Sequence, residues 1–304
     1  MRLLFLFCLF SVVSARANYI FIPMDSKQTD HLKAYGIAYW VLKKDTEVDW
    51  LLNYRGGSFM CKYHPQIQNE LVVRGVTYDI ISDADANQIL GEIASPAMNY
   101  DIMKLEKYPK IAVYSPKSKQ PWDDAVTLVL TYAEIPYDVV FDDEVMRGDL
   151  TKYDWLHLHH EDFTGQLGRN RGYRNASWYE EYKTRSEDLA YSLGYKKISH
   201  SKLAVVKKIR EWVAGGGFMF AMCSATDSFD IALSAEGVDI CEPMFDGDDS
   251  DPNYQARIDY TRTFAFKDFI RCSNPVSCCS GFTICAKKFM SASSCEWLFC
   301  VIKL

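Results

Sequence analysis

The residue best suited to chemistry is Cys223, which lies between an apolar stretch and a predicted helix. The preceding residues, Phe218–Met222, form a continuous apolar run that is typical of a buried strand. A nucleophile on a strand-to-helix turn needs small neighbours because the turn is tight, and Ala221 and Ala225 are small. The N-terminus of the following helix favours a thiolate and offers backbone N–H groups to an oxyanion. Cys223 is a candidate nucleophile, and a buried structural cysteine is the alternative.

A cysteine nucleophile requires a base within hydrogen-bonding reach, and a cluster of histidines follows another predicted strand. This strand ends in His157, His159 and His160, and Glu161 comes next. Because side chains alternate along a strand, His157 and His159 share one face, whereas His160 lies at the exit. We predict that His160 is the base and that Glu161 orients it. For the other two histidines, hydrogen-bonded rings in the core are the alternative.

Two groups of residues contain types that commonly bind metal ions. His157, His159 and Asp162 are an alternative set of ligands for a divalent metal, because such sites favour mixtures of imidazole and carboxylate. The acidic string Asp246–Asp251 lacks the distant Glu of a calcium loop. We predict that this string is a solvated acidic loop.

A long polar segment, Phe163–Lys183, follows the histidine cluster and exceeds the length of an ordinary connection. Its arginines and aromatic residues are suited to anionic or sugar-like ligands. We predict that Gly165–Tyr182 closes over the strand ends, and a surface excursion is the alternative. The residues predicted to bind a ligand are Arg169, Arg171, Arg174, Trp178 and, from the turn after Cys223, Asp227.

Hydrophobic periodicity predicts the elements that position these residues. Strands are predicted at residues 19–23, 48–53, 58–62, 76–81, 110–114, 137–141, 154–159 and 218–222. Helices are predicted at residues 29–43, 64–73, 83–93, 122–133 and 202–212 and after residue 224.

This order of elements favours an α/β fold. Strands that are apolar on both faces, separated by amphipathic helices, favour a parallel sheet covered on both sides. Right-handed crossovers then produce a doubly wound, flavodoxin-like arrangement, which we expect in two βα units. Ligands of such sheets bind at the carboxyl ends of the strands, where the histidine cluster and Cys223 fall.

The N-terminus is predicted to be a cleavable secretion signal. Arg2 precedes an apolar run from Leu3 to Val13, and Ala15 and Ala17 supply the small residues that signal peptidase accepts. The run is shorter than the roughly 20 residues that span a bilayer. We expect cleavage after Ala17 and a periplasmic or secreted protein.

Composition disfavours two classes of partner. The formal net charge is -6 and no basic run occurs, so the sequence lacks the electrostatic footprint of nucleic-acid binding. No second long apolar stretch follows the signal, so we expect no membrane span after cleavage. No cofactor is predicted. The expected ligand is a small molecule, a glycan or a peptide.

The end of the sequence differs from the rest. The helix and strand pattern stops near Arg271, and two interpretations stay open: a tail stapled by disulfides, or an aberrant segment that follows a frameshift. A zinc site is disfavoured because no His follows His200. The cysteines of residues 18–270 are Cys61, Cys223 and Cys241, whereas residues 271–304 contain Cys272, Cys278, Cys279, Cys285, Cys295 and Cys300.

Longer strings around both clusters resemble known families. One string resembles the strand and nucleophile turn of the class I glutamine amidotransferase-like superfamily: Gly-Gly-Gly-Phe-Met-Phe-Ala-Met-Cys-Ser-Ala at 215–225. Residues 108–233 resemble its whole core, including the ThuA-like branch. Residues 19–53 and 110–251 look like a family of exported bacterial proteins often labelled "asparagine synthetase B". That second resemblance depends on two strings, Leu-His-Leu-His-His-Glu-Asp-Phe-Thr-Gly and Ala-Met-Cys-Ser-Ala-Thr-Asp-Ser.

The resemblance implies thiol-dependent amide hydrolysis or amide transfer at Cys223. The superfamily places a His-x-Glu after its nucleophile, whereas this chain has no His after His200. Three alternatives stay open: His160 provides the base, the altered tail has replaced it, or no triad exists. The rival functions are a non-catalytic glycan- or peptide-binding protein and a metal-dependent hydrolase that uses the cluster at 157–162.

These observations divide the sequence into four segments. A signal peptide occupies residues 1–17, and an N-terminal α/β unit occupies residues 18–107. A class I amidotransferase-like α/β domain spans residues 108–270. The Cys-rich tail, residues 271–304, follows it.

Overall fold

The computed structural model describes residues 17–116, 125–159, 161–167, 173–271, 284–285 and 299–302 of the 304-residue chain. The chain divides into an N-terminal unit, Met1–Tyr108 with Val129–Ile135, and a C-terminal unit, Pro109–Leu128 with Pro136–Leu304. Within the described ranges, no helix has both the length and the apolar character that crossing a membrane requires. The predicted signal peptide, except for Ala17, and most of the predicted tail lie outside these ranges.

The N-terminal unit is built on a five-stranded sheet with the order β4-β1-β3-β2-β5. Its strands are β1 Ala17–Ile22, β2 Val48–Leu52, β3 Ser58–Lys62, β4 Asp79–Ser82 and β5 Asp101–Leu105. Its helices are α1 His31–Leu42, α2 Pro65–Arg74 and α3 Asp83–Ile93. All neighbouring strands in this sheet pair antiparallel.

The prediction of a parallel sheet in this unit is wrong, and the connection between β2 and β3 explains why. Residues 53–57 alone join these strands, whereas a parallel crossover needs about a dozen residues or more. Asn53, Arg55, Gly56 and Gly57 all have positive φ angles, which reverse the chain direction within this short connection. β1 and β2 point the same way, but β3 lies between them and pairs with both.

Side chains that alternate along these strands bury both faces of the sheet. Ile20, Val48 and Phe59 pack with residues of α1 and α2 in one apolar cluster. Phe21 and Met60 belong to a second cluster, to which α3 contributes. The N-terminal unit has three layers, with α1 and α2 on one face of the sheet and α3 on the other.

The C-terminal unit contains a five-stranded sheet with the order β12-β9-β8-β6-β7. Its strands are β6 Ile111–Tyr114, β7 Tyr137–Val140, β8 Trp155–Leu158, β9 Phe218–Met222 and β12 Phe299–Ile302. β7, β6, β8 and β9 pair in parallel, and β12 is antiparallel to β9. The predicted α/β class is confirmed by this parallel four-stranded part. A separate pair consists of β10 Ile270–Arg271 and β11 Ile284–Cys285.

Helices α7 and α8 cover one face of the parallel sheet. Leu156 and Met219 pack there with Val206 of α7 and Phe229 of α8 in the main core. The helices that follow α3 are α4 Ala125–Tyr132, α5 Asp142–Arg147, α6 Ser177–Ser192, α7 Ile198–Ala214, α8 Ser224–Ser234, α9 Pro243–Asp246 and α10 Tyr254–Arg257. Short 3-10 turns occupy Tyr54–Gly56, Asp149–Lys152 and Tyr260–Arg262.

The sequence patterns do not predict β5, α5 or α6. Helix α6 begins within the polar segment Phe163–Lys183, and its apolar stripe is narrow. Its buried residues are Tyr179, Tyr182 and Ala190, whereas Glu181 and Arg185 form an exposed ion pair. A helix with so few buried positions shows little 3.6-residue periodicity, which explains why it was missed.

A buried ion pair joins three elements of the C-terminal unit. The ammonium of Lys202 on α7 lies 3.0 Å from the carboxylate of Asp142, the first residue of α5. It also lies 3.0 Å from the hydroxyl of Tyr114 at the end of β6, which donates a hydrogen bond to Asp142. Burial, followed by the charge of Asp142, raises the pKa of Tyr114 well above its usual value. This network attaches α7 to the carboxyl ends of β6 and β7.

Substitutions of two helical glycines, Gly36 and Gly91, test the packing of the N-terminal unit. A Cβ atom at Gly36 in α1 would lie 1.8 Å from the carbonyl oxygen of Ala133, whereas one at Gly91 in α3 would meet nothing within 4 Å. We expect Gly36→Ala to lower the free energy of unfolding by about 1–3 kcal/mol or more, because backbone must move. Gly91→Ala is expected to raise it by about 0.5–1 kcal/mol through helix propensity. Urea unfolding measures both, and a Gly36→Ala protein as stable as the wild type would contradict the close approach.

The buried ion pair predicts a large effect at Lys202. Lys202→Met is expected to lower the free energy of unfolding by about 3–5 kcal/mol, because Asp142 stays buried without its cation. Lys208→Met on the same helix removes an exposed pair with Glu211 and is expected to cost less than about 1 kcal/mol. Equal losses in the two variants, measured by chemical denaturation, would show that the Lys202 pair is not the buried network described.

Candidate functional site

Cys223 lies at the junction of β9 and α8 in a strained backbone conformation. Its φ and ψ angles are 56° and -140°, and a positive φ is uncommon for residues other than glycine. Such angles persist where the surrounding structure enforces them, and they cluster at functional sites. Ala221 and Ala225 on either side are buried, as a tight turn requires. Cys223 itself is half-buried, so part of the residue faces solvent.

The exits of β8 and β9 are neighbours at the edge of the sheet. The two strands pair in parallel, with His157 opposite Phe220 and Leu158 opposite Ala221. Beyond the strands, the backbone N–H of Ala225 donates a hydrogen bond of 3.3 Å to the carbonyl oxygen of His159. This backbone hydrogen bond holds the first turn of α8 against the end of β8.

His157 of β8 lies on the face of the sheet away from the main core, because side chains alternate along the strand and its neighbours Leu156 and Leu158 belong to that core. His157 is buried, and its ring stacks on that of Phe220 with the centroids 5.2 Å apart. The ring of His159 is half-buried, and its centroid is 6.3 Å from that of His157. The predicted base, His160, lies outside the described residues.

Glu161, the predicted orienting carboxylate, is buried in the C-terminal unit. Burial, followed by the charge of Glu161, raises the pKa of Tyr182 well above its usual range. The same charge, after burial and Asp142, adds to the raised pKa of Tyr114. The charge of Glu161 therefore acts on both tyrosines, and one of them, Tyr114, belongs to the network around Lys202.

Ser228, which the sequence patterns do not single out, fastens the segment after β8 to α8. Its hydroxyl oxygen lies 2.6 Å from the carbonyl oxygen of Ser224 and 3.1 Å from that of Glu161. It also accepts a hydrogen bond of 3.2 Å from the backbone N–H of Phe163. A serine on the buried face of α8 is the sequence signal that could have indicated this role.

The predicted metal set is not brought together. Among the residues that the structure describes, His157, His159 and Asp162 do not form a group within ligating distance. One reason is that Oδ1 of Asp162 accepts hydrogen bonds from the backbone N–H and the hydroxyl of Thr164, at 2.8 and 2.6 Å. A second reason is the stacking of His157 on Phe220.

Three carboxylates do come together, in the segment after α8. Asp239, Asp246 and Asp248 surround the ammonium of Lys197 at 2.7, 3.1 and 2.5 Å. Burial acts to lower the pKa of Lys197, but hydrogen bonds to the three carboxylates outweigh it and raise that pKa. The prediction of a solvated acidic loop holds for the exposed Asp248 and Asp249 but not for Asp246, which is largely buried against Lys197. Lys197 lies outside the acidic string and offsets part of its negative charge.

The predicted ligand-binding residues fall in separate elements. Asp227 is buried in the first turn of α8. Trp178 is half-buried in the first turn of α6, and its ring centroid is 5.3 Å from that of the exposed Tyr173. Arg174, between these two rings in sequence, is exposed. The remaining predicted residues, Arg169 and Arg171, lie outside the described residues.

The other cysteines with described side chains, Cys61 and Cys241, are buried. Burial raises the pKa of Cys61 to about 12. A thiol with such a pKa is almost fully protonated at neutral pH and is a poor nucleophile. Cys223 differs from both by its partial exposure and by its strained turn.

Comparisons of the chain with family models, with curated proteins and with solved structures find no match. The fold and the site define an α/β protein with a half-buried thiol at the carboxyl edge of a parallel sheet.

The hydrogen bonds of the Ser228 hydroxyl to Phe163 and Glu161 predict that its removal lowers stability. Ser228→Ala leaves the N–H of Phe163 without its acceptor, and we expect a loss of about 1–3 kcal/mol in the free energy of unfolding. Ser234→Ala is the matched control: Ser234 is as deeply buried in α8, but its hydroxyl donates within its own helix, to Ile231. That variant is expected to lose less than about 1 kcal/mol. In urea denaturation, a loss for Ser234→Ala that equals or exceeds the loss for Ser228→Ala would refute the fastening role.

Proposed function

We propose that this protein is an exported, class I glutamine amidotransferase-like hydrolase that uses Cys223 as a nucleophile on amides. The observation that carries the proposal is the backbone of Cys223, with φ of 56° and ψ of -140° on a strand-to-helix turn. This turn presents the nucleophile of many α/β hydrolases at the edge of the sheet. His160 is the proposed base and Glu161 the proposed orienting carboxylate.

The proposed reaction is acyl transfer through the thiol. Cys223 gives its proton to His160, and the sulfur attacks the carbonyl carbon of the amide. The C–N bond breaks, the leaving amine takes the proton, and a thioester remains on Cys223. Water then gives a proton to the base and attacks the thioester, which releases the acid and restores the thiol. Backbone N–H groups near the start of α8 favour the negative oxygen that forms in each step.

The position of the residues in the sheet supports the same proposal. Ligands of parallel sheets bind at the carboxyl ends of the strands, and Cys223 and Glu161 both follow such ends. We also propose that the parallel sheet is doubly wound and flavodoxin-like, with right-handed crossovers. Export follows from the proposed signal peptide at residues 1–17.

A non-catalytic protein that binds glycans or peptides is the second candidate function. The neighbouring rings of Tyr173 and Trp178 and the exposed guanidinium of Arg174 favour it. Aromatic rings and arginines together bind sugar rings and peptide side chains through stacking and cation–π contacts. In that case, Cys223→Ser leaves the binding of the ligand unchanged.

Alkylation of the folded protein with iodoacetamide at neutral pH, read by peptide mass spectrometry, tests the first proposal. We expect Cys223 to react at least about tenfold faster than the buried Cys61 and Cys241, because thiolate character and access set the rate. The two buried cysteines are internal controls, and unfolding in urea is expected to equalise all three. Labelling of Cys223 as slow as that of Cys61 before unfolding would end the case for a nucleophile.

A further inference from the structure

A cavity of about 320 Å³ lies in the C-terminal unit between α7, α8, the segment after β8 and the segment after α8. We propose that it binds a small organic cation, a primary amine with an apolar body. Cys223 does not line this cavity, and the proposal does not depend on the thiol chemistry.

The walls of the cavity set the size and the apolar character of the ligand. Phe163, Leu203, Ala232 and Ile240 line it, and all but Leu203 are almost fully buried. Small-molecule pockets typically measure roughly 300–1,000 Å³, so this one lies at the lower end. At about 30 Å³ for each water-sized group, it holds about ten non-hydrogen atoms. A phenyl ring or a short alkyl chain meets both requirements.

Polar groups at the start of α7 provide hydrogen-bonding partners. Ser199 and His200 line the cavity, and neither side chain hydrogen-bonds to another residue in the described part of the chain. Gly165 brings the segment after β8 against this turn, because a Cβ there would lie 2.5 Å from the Cα of Ser199. The hydroxyl oxygen and a ring nitrogen of the imidazole can both accept a hydrogen bond from an ammonium group.

A carboxylate completes this polar side. Asp251 lines the cavity, and its contacts with the N–H of Asp239 and with Arg257 both use Oδ2. Among the contacts of described residues, Oδ1 is left for a ligand. The N–H of Asp239 first, and then Arg257, hold the pKa of Asp251 below its ordinary value despite partial burial. Asp251 is therefore ionised at neutral pH.

The charges around the cavity favour a cation over an anion. Two carboxylates, Asp239 and Asp251, are among the described residues that line the cavity, and that lining contains neither lysine nor arginine. A net negative edge attracts a cation and repels a carboxylate. Outside the lining, Lys197 pairs with Asp239, Asp246 and Asp248, and Arg257 pairs with Asp251, so carboxylates outnumber cations in this group as well.

Isothermal titration calorimetry of the full chain with three probes of equal shape tests the proposal. The probes are 2-phenylethylamine, 2-phenylethanol and phenylacetate. We expect saturable one-to-one binding of the amine, with a Kd at least about tenfold below those of the alcohol and the acid. Three equal affinities, or no saturable binding of the amine at millimolar concentration, would overturn it.

Matched variants locate the site. Asp251→Asn is expected to weaken amine binding at least about tenfold and to leave alcohol binding unchanged. Asp249→Asn removes the same charge from an exposed position in the same loop and is expected to change binding less than about twofold. Equal weakening by both variants would point to bulk electrostatics and overturn the site.

Two further variants keep the test decisive. Ala232→Leu fills the cavity and is expected to weaken amine binding at least about tenfold, with folding checked by circular dichroism. If Ala232→Leu fails to fold, Asp251→Asn and its control decide the outcome. Cys223→Ser is expected to bind the amine as the wild type does, so failure of the thiol proposal and failure of this one are distinguishable.

Discussion

The parallel pairing of β8 with β9 determines where the chemically capable residues of this protein meet. Because β8 and β9 run in the same direction, the polypeptide leaves both strands at the same edge of the sheet. One exit continues into Cys223 and α8, and the other into Glu161 and the segment after it. Two bonds at that edge, from Ala225 to the carbonyl of His159 and through the hydroxyl of Ser228, keep the exits together. A slip of one residue would turn the side chains of β8 to the opposite faces and separate the exits.

The strained turn at Cys223 needs a rigid frame, and the buried ion pair supplies part of it. Unusual backbone angles cost about 1–3 kcal/mol and persist where neighbours over-determine them. Lys202 connects α7 to the ends of β6 and β7, and its ammonium also lies 4.3 Å from the ring centroid of Phe141. A buried ammonium is tolerated because Asp142 and the Tyr114 hydroxyl are both in reach. The same helix α7 packs on α8, so the frame extends to the helix that begins after Cys223.

Sequence patterns predicted the continuous apolar strands and the turn at Cys223, because these depend on local residue types. They failed where pairing partners decide the outcome: β2 and β3 form a short hairpin, which makes the first sheet antiparallel. Lys202 was overlooked because a lysine on an amphipathic helix normally faces solvent, and its partner Asp142 is sixty positions earlier. The three carboxylates around Lys197 were missed for the same reason, since Asp239 lies far from Lys197 in the sequence. Long-range ion pairs leave no periodic signal in a single sequence.

The segment after β8 connects the thiol site with the cavity. The ring of Phe163 lines the cavity and lies 5.2 Å from that of Tyr114, while its N–H is held by Ser228. Glu161 is two residues away, and its carbonyl oxygen contacts the same hydroxyl. One side chain thus fastens both residues, so the Ser228 hydroxyl is the contact through which a displacement of Phe163 would reach the backbone of Glu161. If both proposed sites bind ligands, linkage requires any coupling through this contact to be reciprocal, so that each ligand would change the affinity for the other by the same factor.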